Sequence, residues 1–156
     1  MLFYSAKELT TKQHYKFLTG SIIPRPIAWI TTINQETNIV NAAPFSYFNV
    51  VAKDLPLVSL SINRNNQKIK DTARNLLQQK EGVIHLVNDK VLAEMNQTSA
   101  SLPADESELA KTSLTLVDSQ EVTVPAISDA PIRFEVRLHQ HIPVKDHNDT
   151  IISDLF

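Results

Sequence analysis

The chain has no cysteine and only two glycines, Gly20 and Gly82. The first absence removes disulfides, thiolate metal sites and cysteine nucleophiles, and it suits a reducing compartment. The second removes the glycine-rich phosphate loops of dinucleotide-binding and Walker-type proteins, which need several glycines at fixed spacing. A basic excess is missing too: 15 Lys and Arg stand against 17 Asp and Glu, for a formal net charge of -2. General binders of nucleic acid or anionic membrane carry a broad basic field, so both classes are set aside. No apolar run approaches the roughly 20 residues that span a bilayer. The opening "MLFYSAKELTTKQ" turns polar after four residues, too early for a signal-peptide core. The expectation is a cytoplasmic protein.

What is present is a 156-residue chain with 42% hydrophobic and 21% charged residues, the profile of one globular domain, here 1–156, able to bury a core. It has no internal repeat and no low-complexity linker. "AKELTTKQHYKFLTG" predicts a helix, with Leu9, Tyr15 and Leu18 as apolar contacts and Gly20 as its stop. "IAWITTI" predicts a strand, "NQETN" a turn and "IVNAA" the returning partner. "LVSLSI" alternates, with Val58, Leu60 and Ile62 on one face. In "DTARNLLQQK" the period changes: Ala73, Leu76 and Leu77 form a helical stripe. "GVIHLV" predicts a buried strand and "LAEMNQTS" another helix, while the segment 99–120 is polar and unassigned. "RFEVRLHQHI" predicts a strand with Phe134, Val136, Leu138 and Ile142 inward and Glu135, Arg137, His139 and His141 outward; "TIISDLF" predicts a last strand. Strands that follow one another directly, with few helices between, favour a mostly β fold: a largely antiparallel barrel with peripheral helices.

Three stretches carry candidate chemistry. In "NRNNQKIKDTARN", Arg64, Lys68, Lys70 and Arg74 crowd the start of a helix. Arg64, Lys70 and the Thr72 hydroxyl there form either an anion site, helped by free backbone N–H groups and the positive helix end, or a solvated helix start capped by Asp71. In "SIIPRPIAWITT", Arg25 lies between two prolines that keep its backbone extended, which either readies it to grip an anion or leads stiffly into a strand. In "NAAPFSYFNVV", Ala42 and Ala43 let a flat ring approach the backbone, Pro44 interrupts the strand, and Phe45, Tyr47 and Phe48 either flank that ring or fill the core. The histidines form no evident metal site: His139 and His141 alternate on an outer face, and His85 reads as a hydrogen-bonded core residue. No serine–histidine–acid set or carboxylate pair stands out.

"IIPRPIAWITT", "NAAPFSYFNVV", "PLVSLSI", "KDTARN" and "APIRFEVRL" occur in one order. On these motifs the chain, from about Ser21 onward, closely resembles the flavin reductase-like, FMN-binding split-barrel family, including its flavoredoxin-like branch. The resemblance implies a split barrel, non-covalent FMN, a homodimer with flavin near the interface, and NADH or NADPH as electron donor. Carried over motif by motif, it implies that Arg25, Trp29, Thr31 and Thr32 line the flavin site. It also implies that Asn41, Ala43, Phe45 and Ser46 meet the ring, and that Arg64, Lys70 and Thr72 hold the phosphate. No catalytic side chain and no metal is implied, because hydride passes between the cofactors. Two departures stand out: "NQETN" replaces a glycine-containing turn, and members of the family continue beyond the "TIISDLF" strand, implying a shortened C-terminus. The function expected is an NAD(P)H-dependent flavin reductase or oxidoreductase. The alternatives are a flavin-binding electron carrier serving a redox-partner protein, or a split-barrel binder of another planar cofactor.

Overall fold

The computed structural model describes residues 3–100, 102–103 and 106–156. Helix α1 (Thr11–Ser21) begins at Thr10, whose N–H donates to the Gln13 side chain at 2.9 Å while its hydroxyl accepts the Gln13 N–H. This reciprocal box satisfies two otherwise orphaned donors. The helix runs through Gly20 and ends at Ile22. It buries none of its residues; Tyr15 and Leu18, expected as inward contacts, are 58% and 60% exposed.

Ten strands follow among the described residues: β1 (Ala28–Ile33), β2 (Val40–Phe45), β3 (Phe48–Ala52), β4 (Leu57–Asn63), β5 (Glu81–Leu86), β6 (Leu116–Val117), β7 (Ala126–Ile127), β8 (Ile132–Arg137), β9 (Ile142–Lys145) and β10 (Ile151–Leu155). One sheet has the order β2-β1-β5-β8 and a second β3-β4-β10-β9, with β6 and β7 as a separate pair. Every pairing is antiparallel. The chain passes from β2 into β3 through Ser46 and Tyr47, and from β8 into β9 through residues 138–141. Both margins of the two sheets are therefore joined by chain and not by a strand ladder, which makes a barrel split along two seams. Pro44 does not interrupt β2. It pairs with Trp29, and its missing N–H falls on the strand's outer edge, where a sheet tolerates proline.

Helix α2 (Asp71–Gln79) packs on β1, β2 and β5. Its Ala73 and Leu76 join Ala28 and Ile30 of β1, Leu60 and Ile62 of β4 and Ile84 of β5 in the barrel core. The opposite face of the first sheet is covered as well. Trp29 and Ala42 pack against Met95 of α3 (Leu92–Gln97) and Ile127, and Val83 packs against Val122, Val124 and Ala126. Burial on both faces explains why β1 shows no alternation of apolar and polar residues, as is usual in doubly covered sheets. β5 also comes close to its neighbours: a Cβ on Gly82 would lie 3.2 Å from Ile30 Cδ1 and from the Thr31 carbonyl oxygen. A side chain there would need its neighbours to give by a few tenths of an ångström.

β8 departs from its expected pattern. It is shorter, ending at Arg137, and it is the edge strand at the β8–β9 seam. Val136 and Leu138 do line the barrel interior, but Phe134 and Ile142 stay 44% and 45% exposed. Glu135, expected outward, is covered by residues 120 and 121, whose N–H groups it accepts at 2.6–3.0 Å. The unassigned segment 99–120, of which 101, 104 and 105 lie outside the described residues, contains a 3-10 turn (Glu108–Lys111) and β6.

Candidate functional site

The period of two along β1 separates residues that the sequence groups together. Thr32 and Ile30 face α2; Trp29 and Thr31 face the other way. Trp29 is fully buried and donates Nε1–H to Thr98 Oγ1 at 2.9 Å, and Thr31 donates to the Pro125 carbonyl at 2.8 Å. Their side chains build the wall behind the first sheet and line no site on the α2 face.

On that α2 face, Thr32, Asn41, Thr72 and Asn75 meet in one buried network. The Thr32 hydroxyl donates to Asn41 Oδ1. Asn75 Nδ2 donates to Thr32 Oγ1 at 3.2 Å and to Asn41 Oδ1 at 3.3 Å, and Asn41 Nδ2 donates to Thr72 Oγ1 at 3.3 Å. Thr72 lies in the first turn of α2, next to Lys70. Asp71 is not the cap. Lys70 occupies the N-cap position, no side chain among the described residues caps the helix, and Asp71 turns to Arg74 at 2.6 Å. The positive end of α2 is thus left to an outside partner, and the nearest carboxylate is neutralised by its own neighbour.

β2 leads from this network to the β2–β3 seam. Ala43 and Phe45 share the Asn41 face of the strand and are half-buried. The Lys70 ammonium sits 5.5 Å from the centroid of the Phe45 ring. Ser46 follows, with Arg25 Nε 3.5 Å from its hydroxyl. Arg25 is less free than its proline setting implies: its Nη1 donates to the carbonyls of Thr19 and Ile22, each at 2.6 Å, and closes the C-terminal end of α1. Arg25, Asn41, Ala43, Phe45, Ser46, Lys70 and Thr72 therefore gather around one corner of the barrel.

Arg64 does not present a free cation to that corner. It is held by Asp154 on β10, with Nε–Oδ2 at 2.8 Å and Nη2–Oδ1 at 3.0 Å. The Arg64 bonds, with a further one from His141, hold the buried Asp154 carboxyl below its ordinary range. His141, expected on a solvated face, stacks on Phe156 with ring centroids 5.1 Å apart. The one charged residue of "TIISDLF" marks a buried partner, but nothing local in the sequence names Arg64 as that partner.

Glu108 belongs to the corner and was missed in the sequence, where it sits in the unassigned segment. Its carboxylate accepts the Ala42 N–H at 3.2 Å, and Ser107 donates its hydroxyl to the Val40 carbonyl at 2.5 Å. Together they satisfy the outer edge of β2 up to Pro44 in place of a further strand. Burial pushes the Glu108 carboxyl up. His85 is the core residue expected: Nδ1 donates to the Trp29 carbonyl and Nε2 accepts the Ile127 N–H, both at 2.9 Å.

A cavity of about 390 Å³ opens at the other seam, between Val58, Leu60, Val136, Leu138, Ile142 and Phe156. None of the residues expected to bind a cofactor lines it. Among the described residues no group of three or more His, Asp and Glu is placed to hold a metal ion. No helix among them is long and apolar enough to cross a membrane.

The uncapped helix start, with a hydroxyl and an ammonium beside it and no glycine loop, fits the phosphate of a mononucleotide. The small Ala43 and the aromatic Phe45 at the seam fit a flat ring beside it. Residues 19–152 match the model of the family described as flavin reductase like domain. YwrF of Bacillus subtilis is 45% identical over 155 residues, spanning 99% of this chain and 75% of that protein. Component B of nitrilotriacetate monooxygenase from Bacillus cereus superposes with a TM-score of 0.95 at 42% identity, over 99% of this chain and 76% of that one. The 2-nitrobenzoate 2-nitroreductase NbaA of Pseudomonas fluorescens superposes at 0.85 with 29% identity, over 99% and 71%.

Proposed function

This chain belongs to the flavin reductase-like family, and on that premise we propose that it binds FMN at the β2–β3 seam and moves hydride between a nicotinamide nucleotide and the flavin. The observation that carries the reading is the start of α2, where Lys70 and Thr72 flank backbone N–H groups that no side chain among the described residues caps. A phosphate dianion there gains the helix dipole, a hydroxyl donor and one ammonium charge. Likeness to a monooxygenase component and to a nitroreductase supports an oxidoreductase over a passive binder.

A bound flavin supplies hydride acceptance and electron storage. The chain's own residues supply position. Lys70 and Thr72 anchor the phosphate, Asn41 holds Thr72 in place, and β2 from Ala43 to Ser46 offers the ring a small-residue surface ending at Phe45. Arg25 stiffens that margin by tying Ser46 to the end of α1. No side chain is assigned as a general base, since hydride transfer needs alignment more than proton transfer.

The same reading includes a homodimer and a cytoplasmic setting. α1 leaves Tyr15, Phe17 and Leu18 exposed, followed by Ile22 and Ile23, an apolar surface of the kind a second copy covers. Sedimentation at twice the chain mass is the expected result.

Two measurements test the proposal. FMN-loaded protein is expected to oxidise NADH or NADPH in steady state, and Lys70→Ala is expected to weaken FMN binding by about fivefold to tenfold, the loss of one charge-assisted contact. A chain that stays flavin-free in excess FMN contradicts the binding; a loaded chain that leaves both nicotinamides unoxidised contradicts the reaction.

A further inference from the structure

We propose that Asn75 is a positioning residue that sets the Thr72 hydroxyl as a hydrogen-bond donor toward the flavin phosphate. The inference rests on the reading above for the phosphate's location, and it adds what makes that location attractive and not repulsive.

Asn75 is 1% exposed and lies three residues beyond Thr72 on the same face of α2. Its Nδ2 makes two donor bonds, to Thr32 Oγ1 and to Asn41 Oδ1. Asn41 Oδ1 therefore faces two donors, Asn75 Nδ2 and the Thr32 hydroxyl. With the Asn75 amide donating in this way, the Asn41 amide is set, because turning it over alone would put its NH2 against the NH2 of Asn75. Its own Nδ2 is left to point at Thr72 Oγ1, 3.3 Å away.

A hydroxyl has one proton to give. With Oγ1 already accepting from Asn41, the Thr72 proton has to leave the network, and no acceptor for it exists among the described residues. Thr72 itself lies in the first turn of α2, where no side chain among the described residues caps the N–H groups. The reverse orientation has the opposite sign. An Asn41 oxygen aimed at Thr72 would take the proton and turn the hydroxyl's lone pairs outward, toward an anion.

Asn75 Oδ1 has no partner among the described residues. A buried carbonyl left unpaired is unfavourable, and an apolar side chain of the same volume would leave none. The amide at position 75 thus serves its two donor bonds alone, which are the ones that orient Asn41.

The test compares FMN with riboflavin, which lacks the phosphate, by fluorescence titration of the wild type, Asn75→Leu, Thr72→Val and the double variant. Asn75→Leu keeps the branched shape at a larger volume, and Asn75→Ala replaces it should the leucine variant fail to fold. Wild type is expected to prefer FMN by about tenfold or more, and Asn75→Leu to cut that preference by about threefold or more with riboflavin affinity unchanged. In the Thr72→Val background the same change is expected to leave the preference unaltered. An Asn75→Leu variant with undiminished preference overturns the inference. So does an equal loss with and without the Thr72 hydroxyl, or a parallel loss for both ligands, which is the mark of a structural role. A wild type that binds both ligands equally removes the phosphate site itself, and this inference with it.

Discussion

Arg64 and Asp154 face each other across the β4–β10 pair and share two hydrogen bonds, at 2.8 and 3.0 Å. The aspartate side chain is 1% exposed and the arginine 19%. The pair ties the residue after β4 to the buried interior of β10, and a cation expected to hold phosphate is committed to the protein itself.

Arg64→Ala should therefore act on stability and leave FMN binding within about twofold, while costing about 3 kcal/mol because a buried carboxylate loses its principal partner. Chemical denaturation alongside FMN titration checks both halves. The pH dependence has a definite sign. Asp154 is depressed below its ordinary 3.8 in the fold, so its contribution is complete above that value and disappears as pH falls through the lower, folded one. In Arg64→Ala the acid limb of the stability curve should move to higher pH.

Arg25→Ala should loosen α1. The helix buries nothing, and while the Thr10–Gln13 box caps its own start, the Arg25 bonds to Thr19 and Ile22 tie its end to the following chain. Charge-assisted bonds at a half-buried site contribute about 1–2 kcal/mol together after solvent screening. Amide exchange over residues 14–21 is expected to quicken by about tenfold, with the barrel strands unchanged. Uniform protection across the chain would show that α1 is held by something else.

Burial pushes His85 down to about 4 from 6.5. The neutral ring is the folded form, since Nε2 accepts an N–H and has no room for a proton of its own. Between those two values the unfolded chain binds a proton that the folded chain does not, so stability rises with pH across this window and falls as pH drops from 6.5 toward 4. The full swing amounts to about 3 kcal/mol. His85→Leu should be less stable at neutral pH, where the Ile127 N–H and Trp29 carbonyl lose their partner, and should show a flatter profile in that interval. A wild-type slope in the variant would assign the titration elsewhere.

The strands were legible wherever one period dominated. "LVSLSI" alternates because one face of β4 meets the barrel core, and "DTARNLLQQK" shows its stripe because α2 buries Ala73 and Leu76 on one side. β1 was recognisable as a strand by its β-branched content, but its doubly covered faces hid the alternation that sends Trp29 and Thr31 away from Thr32. β9 carried little signal, being four residues long and containing Pro143. At the site, the Lys70–Thr72 motif was readable because a helix start advertises itself locally. Glu108, Asn75 and Asp154 were not, since each acquires its role from a residue at least 34 positions away in the chain, Ala42, Asn41 and Arg64 respectively.

The most direct measurement is a crystal structure of the chain soaked with FMN. The phosphate is expected within hydrogen-bond reach of the Thr72 hydroxyl and the first N–H groups of α2, with Lys70 alongside and the ring lying along β2 toward Phe45. A flavin seated in the cavity between β4 and β8, or a phosphate drawn to Arg64 with the Asp154 pair broken, would contradict the account.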